Sequence, residues 1–285
     1  MRARVLILVF GILVFNPETG KSQESVPEFN PTAKGKMFIH WGYNRSSYTN
    51  SDIAFSGPDY DFELLGVVAK DRQSPFNFKT YFGITSFTIP QYNFIIGYYF
   101  RDGFSISFNA DHMKYVVESG QTTTITGTIE KNSSEFNGSY NQAAIDLTPE
   151  FLYFEHTDGL NYENIELTRY LDLWFNDKGN VDFNGQIGVA IGALVPRSNV
   201  LLMGEGTDEF HLAGFGTSAT AGVMLTLFKN WVLQYKVKGG YMNMPDIVTN
   251  GSKNPERVKQ SFWFLERFFT VGANIPIKGK KKLID

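Results

Sequence analysis

Two short segments hold the residue types that proton transfer or metal binding requires. Asp111-His112 sets a carboxylate beside an imidazole, and Glu155-His156-Thr157-Asp158-Gly159 packs two carboxylates and an imidazole into four residues. Such groups can act as base and orienting partner, and an O/N cluster can hold a hard cation. Plainer readings stand beside both. Asp111-His112 falls late in an alternating stretch over 104–117, where a polar strand end near a rim is ordinary. The second segment lacks the remaining ligands of an EF-hand loop and fits a surface loop ending in an Asp-Gly turn. Ser46, Ser47, Thr49 and Ser51 offer hydroxyls without a Gly-x-Ser-x-Gly elbow, and there is no phosphate-binding glycine loop. The candidates for catalysis are Asp111, His112, Glu155, His156 and Asp158, with no metal and no cofactor expected.

The elements that would position these residues are strands. Apolar residues recur at every second position from Lys36 to Ile277, most clearly at Tyr92, Phe94, Ile96, Tyr98 and Phe100, and again at Phe104, Ile106 and Phe108 after the turn Arg101-Asp102-Gly103. A period of two puts one set of side chains on each face of a strand. Strands are expected near 36–47, 58–70, 88–101, 104–117, 121–131, 162–176, 181–196, 211–228, 231–246 and 261–277, with further candidates at 76–84 and 150–157. Several alternate for twelve residues or more. Soluble strands average about 5–6 residues, whereas a tilted membrane-spanning strand needs about 9–11. A soluble lipocalin-like barrel is the competing architecture, with its apolar face inward.

The N-terminus supports export. Met1-Arg2-Ala3-Arg4 carries two positive charges and Val5 to Phe15 is apolar, the pattern of a signal peptide over 1–23 with cleavage near Gln23-Glu24. Residues 24–35 are expected to form an N-terminal extension, 36–277 the barrel, and 278–285 a basic tail. The chain has no Cys, which removes disulfides, thiolate metal sites and an acylated cysteine. Aromatic residues make up 15% and charged residues 19%. Average chains carry about 25% charge, so the balance fits a lipid-facing exterior with aromatic girdles. A net charge of −3 points to no polyanionic partner, and basic and aromatic residues do not cluster as on a nucleic-acid surface.

Turns at 101–103, 176–180 and 229–230 are short, while 48–57, 196–209 and 246–260 are long and polar. Tight periplasmic turns alternating with longer extracellular loops are the outer-membrane arrangement. If the three short turns share one side, an extra upward strand near 76–84 is needed, which makes the count ten or twelve. On the inward phase lie His40, Asn44, Glu63, Asn93, Asn109, Glu166, Asp172, Lys236, Lys238 and Glu266, the expected lumen lining. His112 falls on the lipid phase, so either a bulge shifts the register there or it sits at an interface. Arg169 and Arg267 also face lipid, at about 2–4 kcal/mol each if they lie at the midplane and far less near a boundary.

Three segments carry a resemblance: Ile89-Pro90-Gln91-Tyr92-Asn93-Phe94, Asp111-His112-Met113-Lys114-Tyr115, and Phe154 through Tyr162. In these the chain resembles uncharacterised outer-membrane β-barrel proteins of Bacteroidetes-type Gram-negative bacteria. The resemblance implies fold and location, and no catalytic residue follows from it.

The fold expected is all-β, an antiparallel up-and-down transmembrane barrel of 10–12 strands in a bacterial outer membrane. The function expected is structural or small-solute transport through a narrow polar lumen. A lipid-modifying enzyme, hydrolase-like and with a His/carboxylate site at the rim, is the alternative. Outer-membrane lipid and small solutes are the partners implied; oligomeric state is left open.

Overall fold

The computed structural model describes residues 30–131, 134–176, 178, 180–251 and 255–277. The expected signal segment 1–23, the start of the expected extension and the expected tail 278–285 lie outside them, as do Asp177 and Gly179 of one expected turn. Among the described residues the strands are β1 (Lys36–Tyr48), β2 (Ser51–Gly57), β3 (Tyr60–Val67), β4 (Ala69–Lys70), β5 (Tyr92–Arg101), β6 (Phe104–Val117), β7 (Thr122–Ile129) and β8 (Gly138–Asp146). They continue as β9 (Leu152–Phe175), β10 (Val181–Leu194), β11 (Arg197–Leu202), β12 (Glu205–Phe210), β13 (Gly214–Leu227), β14 (Trp231–Val248) and β15 (Arg257–Pro276). One short helix, α1 (Phe78–Phe82), lies between β4 and β5.

Eight of these strands close a ring in the order β1-β5-β6-β9-β10-β13-β14-β15, sealed by antiparallel pairing of β1 with β15 from Lys36↔Pro276 to Tyr48↔Phe264. Every strand pair in the ring is antiparallel. The turns 101–103 and 229–230 and the first and last described residues gather at one end of the ring, the periplasmic end in the outer-membrane arrangement. Gly35 N–H donates to Tyr99 O at 2.9 Å, Gly103 N–H to Thr32 O at 3.2 Å, and Asn274 N–H to Asn230 O at 2.8 Å. Thr32, 1% exposed, tucks the extension against that mouth.

The other end does not stop at the membrane. The upper part of β15 pairs with β2, and the sheet continues through β3 and β7 to β8. The upper part of β9 pairs with β11, and β11 with β12. These layers enclose one apolar core, including Ile53, Phe55, Phe62, Leu64, Tyr115, Phe154 and Phe262. Strands of the ring thus run without a break into an extracellular β-dome.

β15 shows how one strand serves both zones. Its inward residues are mainly apolar at the top, Val258, Phe262 and Phe264 with Gln260 among them, and mainly polar lower down, at Glu266, Thr270 and Asn274. Its outward residues change the other way, from Arg257, Lys259 and Ser261 to Trp263, Leu265, Phe269, Val271 and Ile275, interrupted by Arg267. Apolar inside with polar outside suits water, and the reverse suits lipid. The inversion near Trp263 marks the boundary. An interior of charges behind an apolar exterior excludes the soluble lipocalin-like arrangement for the ring.

The ring therefore has eight strands, where the alternation predicts ten or twelve. The segments over 58–70 and 121–131 are strands of the dome, with Asp61, Glu63, Thr124 and Thr128 toward water or its margin. The region 76–84 holds α1 and turns, not an upward strand, and 150–157 is the top of β9. Glu63 is consequently exposed on β3 and lines no lumen. Asp172 keeps the inward phase, paired with Asn184, whose Nδ2 donates to Asp172 Oδ1 at 2.9 Å, and it is exposed because it stands at the open end of the ring. Leu173 is the extra residue of a bulge against β10, where pairing jumps from Phe183↔Trp174 to Asn184↔Asp172, at the open periplasmic mouth.

Candidate functional site

The remaining residues expected in the lumen are all buried inside the ring: His40, Asn44, Asn93, Asn109, Glu166, Lys236, Lys238 and Glu266. The alternation of β1, β5, β6, β9, β14 and β15 brings Asn44, Asn93, Glu166, Lys236, Lys238 and Glu266 to one level, where they form a charged layer with Asp111. Lys238 Nζ donates to Asp111 and lies 3.8 Å from Glu166 Oε2, while Lys236 Nζ donates to Glu166 Oε1 at 2.6 Å. Asn93 Nδ2 bridges Asp111 Oδ1 at 2.7 Å and Glu266 Oε1 at 2.9 Å. Asn164 Nδ2 donates to Asp111 Oδ2 at 2.9 Å, and Asn44 Nδ2 to Asn93 Oδ1 at 3.0 Å. Lower in the ring, His40 Nδ1 meets Gln234 Nε2 at 3.1 Å, and Gln186 Nε2 donates to Gln234 Oε1 at 3.2 Å.

This layer is dry. Lys238, Asp111, Glu166 and Glu266 are 0% exposed, so no water-filled path reaches them. Below them sits an apolar plug of Phe38, Ile95, Tyr99, Tyr170, Met224, Val232 and Phe268. Above them Tyr162, Phe264 and Met242 begin the dome core. Isolated charges in such a setting are very unfavourable. Here they are tolerated because two ammonium groups and three carboxyl groups interlock, with three asparagines supplying donors. Asn164, on the same phase of β9 as Glu166, belongs to the layer although the sequence reading passed over it.

The five candidates for catalysis do not converge. Asp111 is locked in the layer, while His112, its neighbour in sequence, points out of the ring. There His112 stacks on Tyr92 with centroids 4.7 Å apart and its Nδ1 meets Asn161 Oδ1 at 2.8 Å. Glu155 pairs with Arg72 and accepts from Tyr153. His156 is 0% exposed within the dome, its Nδ1 2.9 Å from Ser198 Oγ. Asp158 is exposed and pairs with Arg197 at 2.7 Å. β6 and β9 bring His112 and His156 onto adjacent strands, with His156 opposite Tyr115, but on opposite faces of the wall. A register shift between Met113 and Tyr115 is the bulge expected here, and it lies above His112 rather than at it. Among the described residues no group of three His, Asp or Glu side chains is placed to hold a metal ion.

Burial holds His156 neutral, lowering its pKa from the ordinary 6.5 to about 3. The folded dome resists a proton that the unfolded chain accepts below pH 6.5. The stabilisation is complete above that pH and is lost as pH falls toward 3, by roughly 2–3 kcal/mol at pH 4.5. The thermal midpoint, followed by tryptophan fluorescence in micelles, is expected to fall more between pH 7 and 4.5 for the wild type than for His156→Gln. Equal falls would show that His156 is not the group responsible.

No family model and no curated protein matches the chain. Among solved structures it is similar to the outer membrane protein OprG from Pseudomonas aeruginosa, at 11% identity over 86% of this chain and 98% of that one, TM-score 0.37. Neisserial surface protein A gives 11% identity, 86% and 98% coverage and TM-score 0.34. The outer membrane protein AlkL in lipid bilayers gives 11%, 94%, 100% and 0.34. Likenesses at this level say nothing of activity. The inverted ring itself, apolar toward lipid and charged within, is that of an integral β-barrel protein of a Gram-negative outer membrane.

Proposed function

We propose that this chain is a non-conducting barrel whose role is structural: it fixes the β-dome at the cell surface. One observation carries the reading, the closure of the ring interior by two apolar plugs around a charged layer with no exposed atoms to speak of. A conducting pore needs continuous water, and small-solute transport through the ring would need this interior to come apart. The segments that resemble Bacteroidetes-type barrels meet where ring and dome join, with Tyr92↔His112, Asp111↔Tyr162 and Tyr115↔His156 as strand partners. That source is part of the proposal.

Reconstitution into planar bilayers in molar salt is the test. The protein is expected to insert and give no discrete conductance steps. Regular steps, sensitive to Lys238→Met, would show a lumen open to ions and overturn the proposal.

A further inference from the structure

Arg45 on β1 and Arg267 on β15 are direct cross-strand partners. Both occupy the outward phase, since Asn44, Ser46, Glu266 and Phe268 on either side of them are buried. Like charges placed opposite one another on a sheet repel. A lipid-facing arginine is tolerated only near a boundary. Nine residues separate Arg267 from the periplasmic end of β15 at Pro276, roughly 22 Å of height for a tilted strand and close to the ~25 Å of an apolar band. The pair therefore lies in the upper part of the apolar band, four residues below the inversion near Trp263, where long basic side chains reach the upper boundary by snorkelling. By contrast, Arg169 sits at the lower one, stacked over the Phe104 ring at 5.1 Å beside the turn 101–103.

Among the described residues the two guanidinium groups have one carboxylate between them within electrostatic reach. Arg45 donates to Asn44 O at 2.6 Å and to Tyr81 Oη at 3.0 Å, both uncharged. Asp71 is the carboxylate that faces Arg45, and it is already engaged by Ser46 N–H at 3.1 Å and by Gln91. Arg267 has no acidic partner among the described residues, and its flanking outward residues are Leu265 and Phe269.

A second feature adjoins the pair. The segment carrying α1 lies outside the ring against β1. Tyr43 Oη donates to Tyr81 O and Phe87 O, and Trp41 meets Phe87 with ring centroids 4.8 Å apart. The same segment turns Phe76 (77% exposed), Phe78 (73%), Phe82 (61%) and Ile84 (91%) away from the protein, with Lys79 between them. Large apolar side chains beside a basic pair near a membrane boundary match an acylated anion, chains against the phenylalanines and head group on the arginines.

We propose that Arg45 and Arg267 bind the phosphate group of an outer-leaflet lipid, whose acyl chains pack on Phe78 and Phe82. The planar guanidinium forks suit bidentate contact with phosphate. The anion turns the repulsion between the two arginines into a shared attachment. This rests on the reading of the chain as an integral membrane barrel.

The test uses the full chain refolded into nanodiscs of phosphatidylcholine, with and without phosphatidic acid, and reads lipid retention by native mass spectrometry together with the thermal midpoint. Insertion into phosphatidylcholine alone checks the barrel reading separately. The wild type is expected to retain phosphatidic acid at least tenfold over phosphatidylcholine and to gain stability from it. Arg45→Gln/Arg267→Gln should lose both effects, yet be at least as stable as the wild type in phosphatidylcholine, because the repulsion is gone. Phe78→Ser/Phe82→Ser should weaken retention of phosphatidic acid while leaving the fold intact. Equal retention by the arginine variant would overturn the site. Displacement of the lipid by millimolar inorganic phosphate, with no effect of the phenylalanine changes, would overturn the lipid as its source.

Discussion

Alanine at Gly42 is expected to stop the ring from closing. A Cβ at this position of β1 would lie 1.8 Å from Phe269 O and 2.6 Å from Thr270 Cα. On the facing strand, a Cβ at Gly272 would lie 2.2 Å from Ile39 O and 2.1 Å from His40 Cδ2. The obstacles include backbone, so no rotamer relieves them. Both glycines sit in the β1–β15 seam, which joins the first and last strands of the ring. If the seam opens, two edges of unpaired N–H and C=O groups face lipid, at several kcal/mol for each group. The yield of heat-modifiable, folded protein on a cold SDS gel should drop at least tenfold for Gly42→Ala. Gly239→Ala is the control, because a Cβ there meets Leu265 Cδ1 at an ordinary 3.6 Å. Equal yields from the two variants would show that the seam flexes enough to admit a methyl group.

Lys238→Met should be the most damaging single change within the charged layer. Lys238 is fully buried, with its ammonium between the Tyr162 and Phe268 rings, 5.8 and 5.6 Å from their centroids. Removing it leaves Asp111 buried without its cation and takes a neighbour from Glu166. Breaking a buried pair on one side costs about 3–5 kcal/mol. Urea unfolding in lipid vesicles should register a loss of that size. Adding Asp111→Asn should restore about half of it or more, since the orphaned charge goes with the substitution. A loss below about 1 kcal/mol for the single change would mean that water reaches the layer, and the non-conducting reading would fall with it.

Most of the ring was legible in the sequence because alternation is a direct consequence of strand geometry. The inward residues of β1, β6, β14 and β15 followed from it, as did the lipid-facing position of His112. What alternation does not encode is which face meets which solvent. Tyr60, Phe62 and Leu64 alternate with Asp61 and Glu63 as cleanly as any membrane strand, yet their apolar side points into the dome. The distinguishing signal was present in the polar face: charges and a run of threonines on β3 and β7, against glutamine, asparagine and isolated charges inside the ring. The bulge at Leu173 shifts the phase for Trp174 and Phe175 beyond it and leaves no mark in composition. The Arg45–Arg267 juxtaposition depends on the register of strands more than two hundred residues apart, which no local pattern discloses.

The continuity of ring and dome has a mechanical side. β9 is one strand of 24 residues, and its portion above the ring, from Leu152 to Leu160, amounts to about 30 Å of strand. β6, β14 and β15 cross the same boundary without a linker. The irregularities at the junction are bulges within these strands, at 157–159 of β9 and 245–246 of β14. The outermost strands, β8 and β12, are therefore carried on hydrogen-bonded sheet that continues from the barrel and not on a tether, like the head of a mast stepped through a deck. A ligand arriving there pays no entropy for stilling a swinging module, and a tangential pull on the dome loads the hydrogen-bond ladders of the barrel in shear.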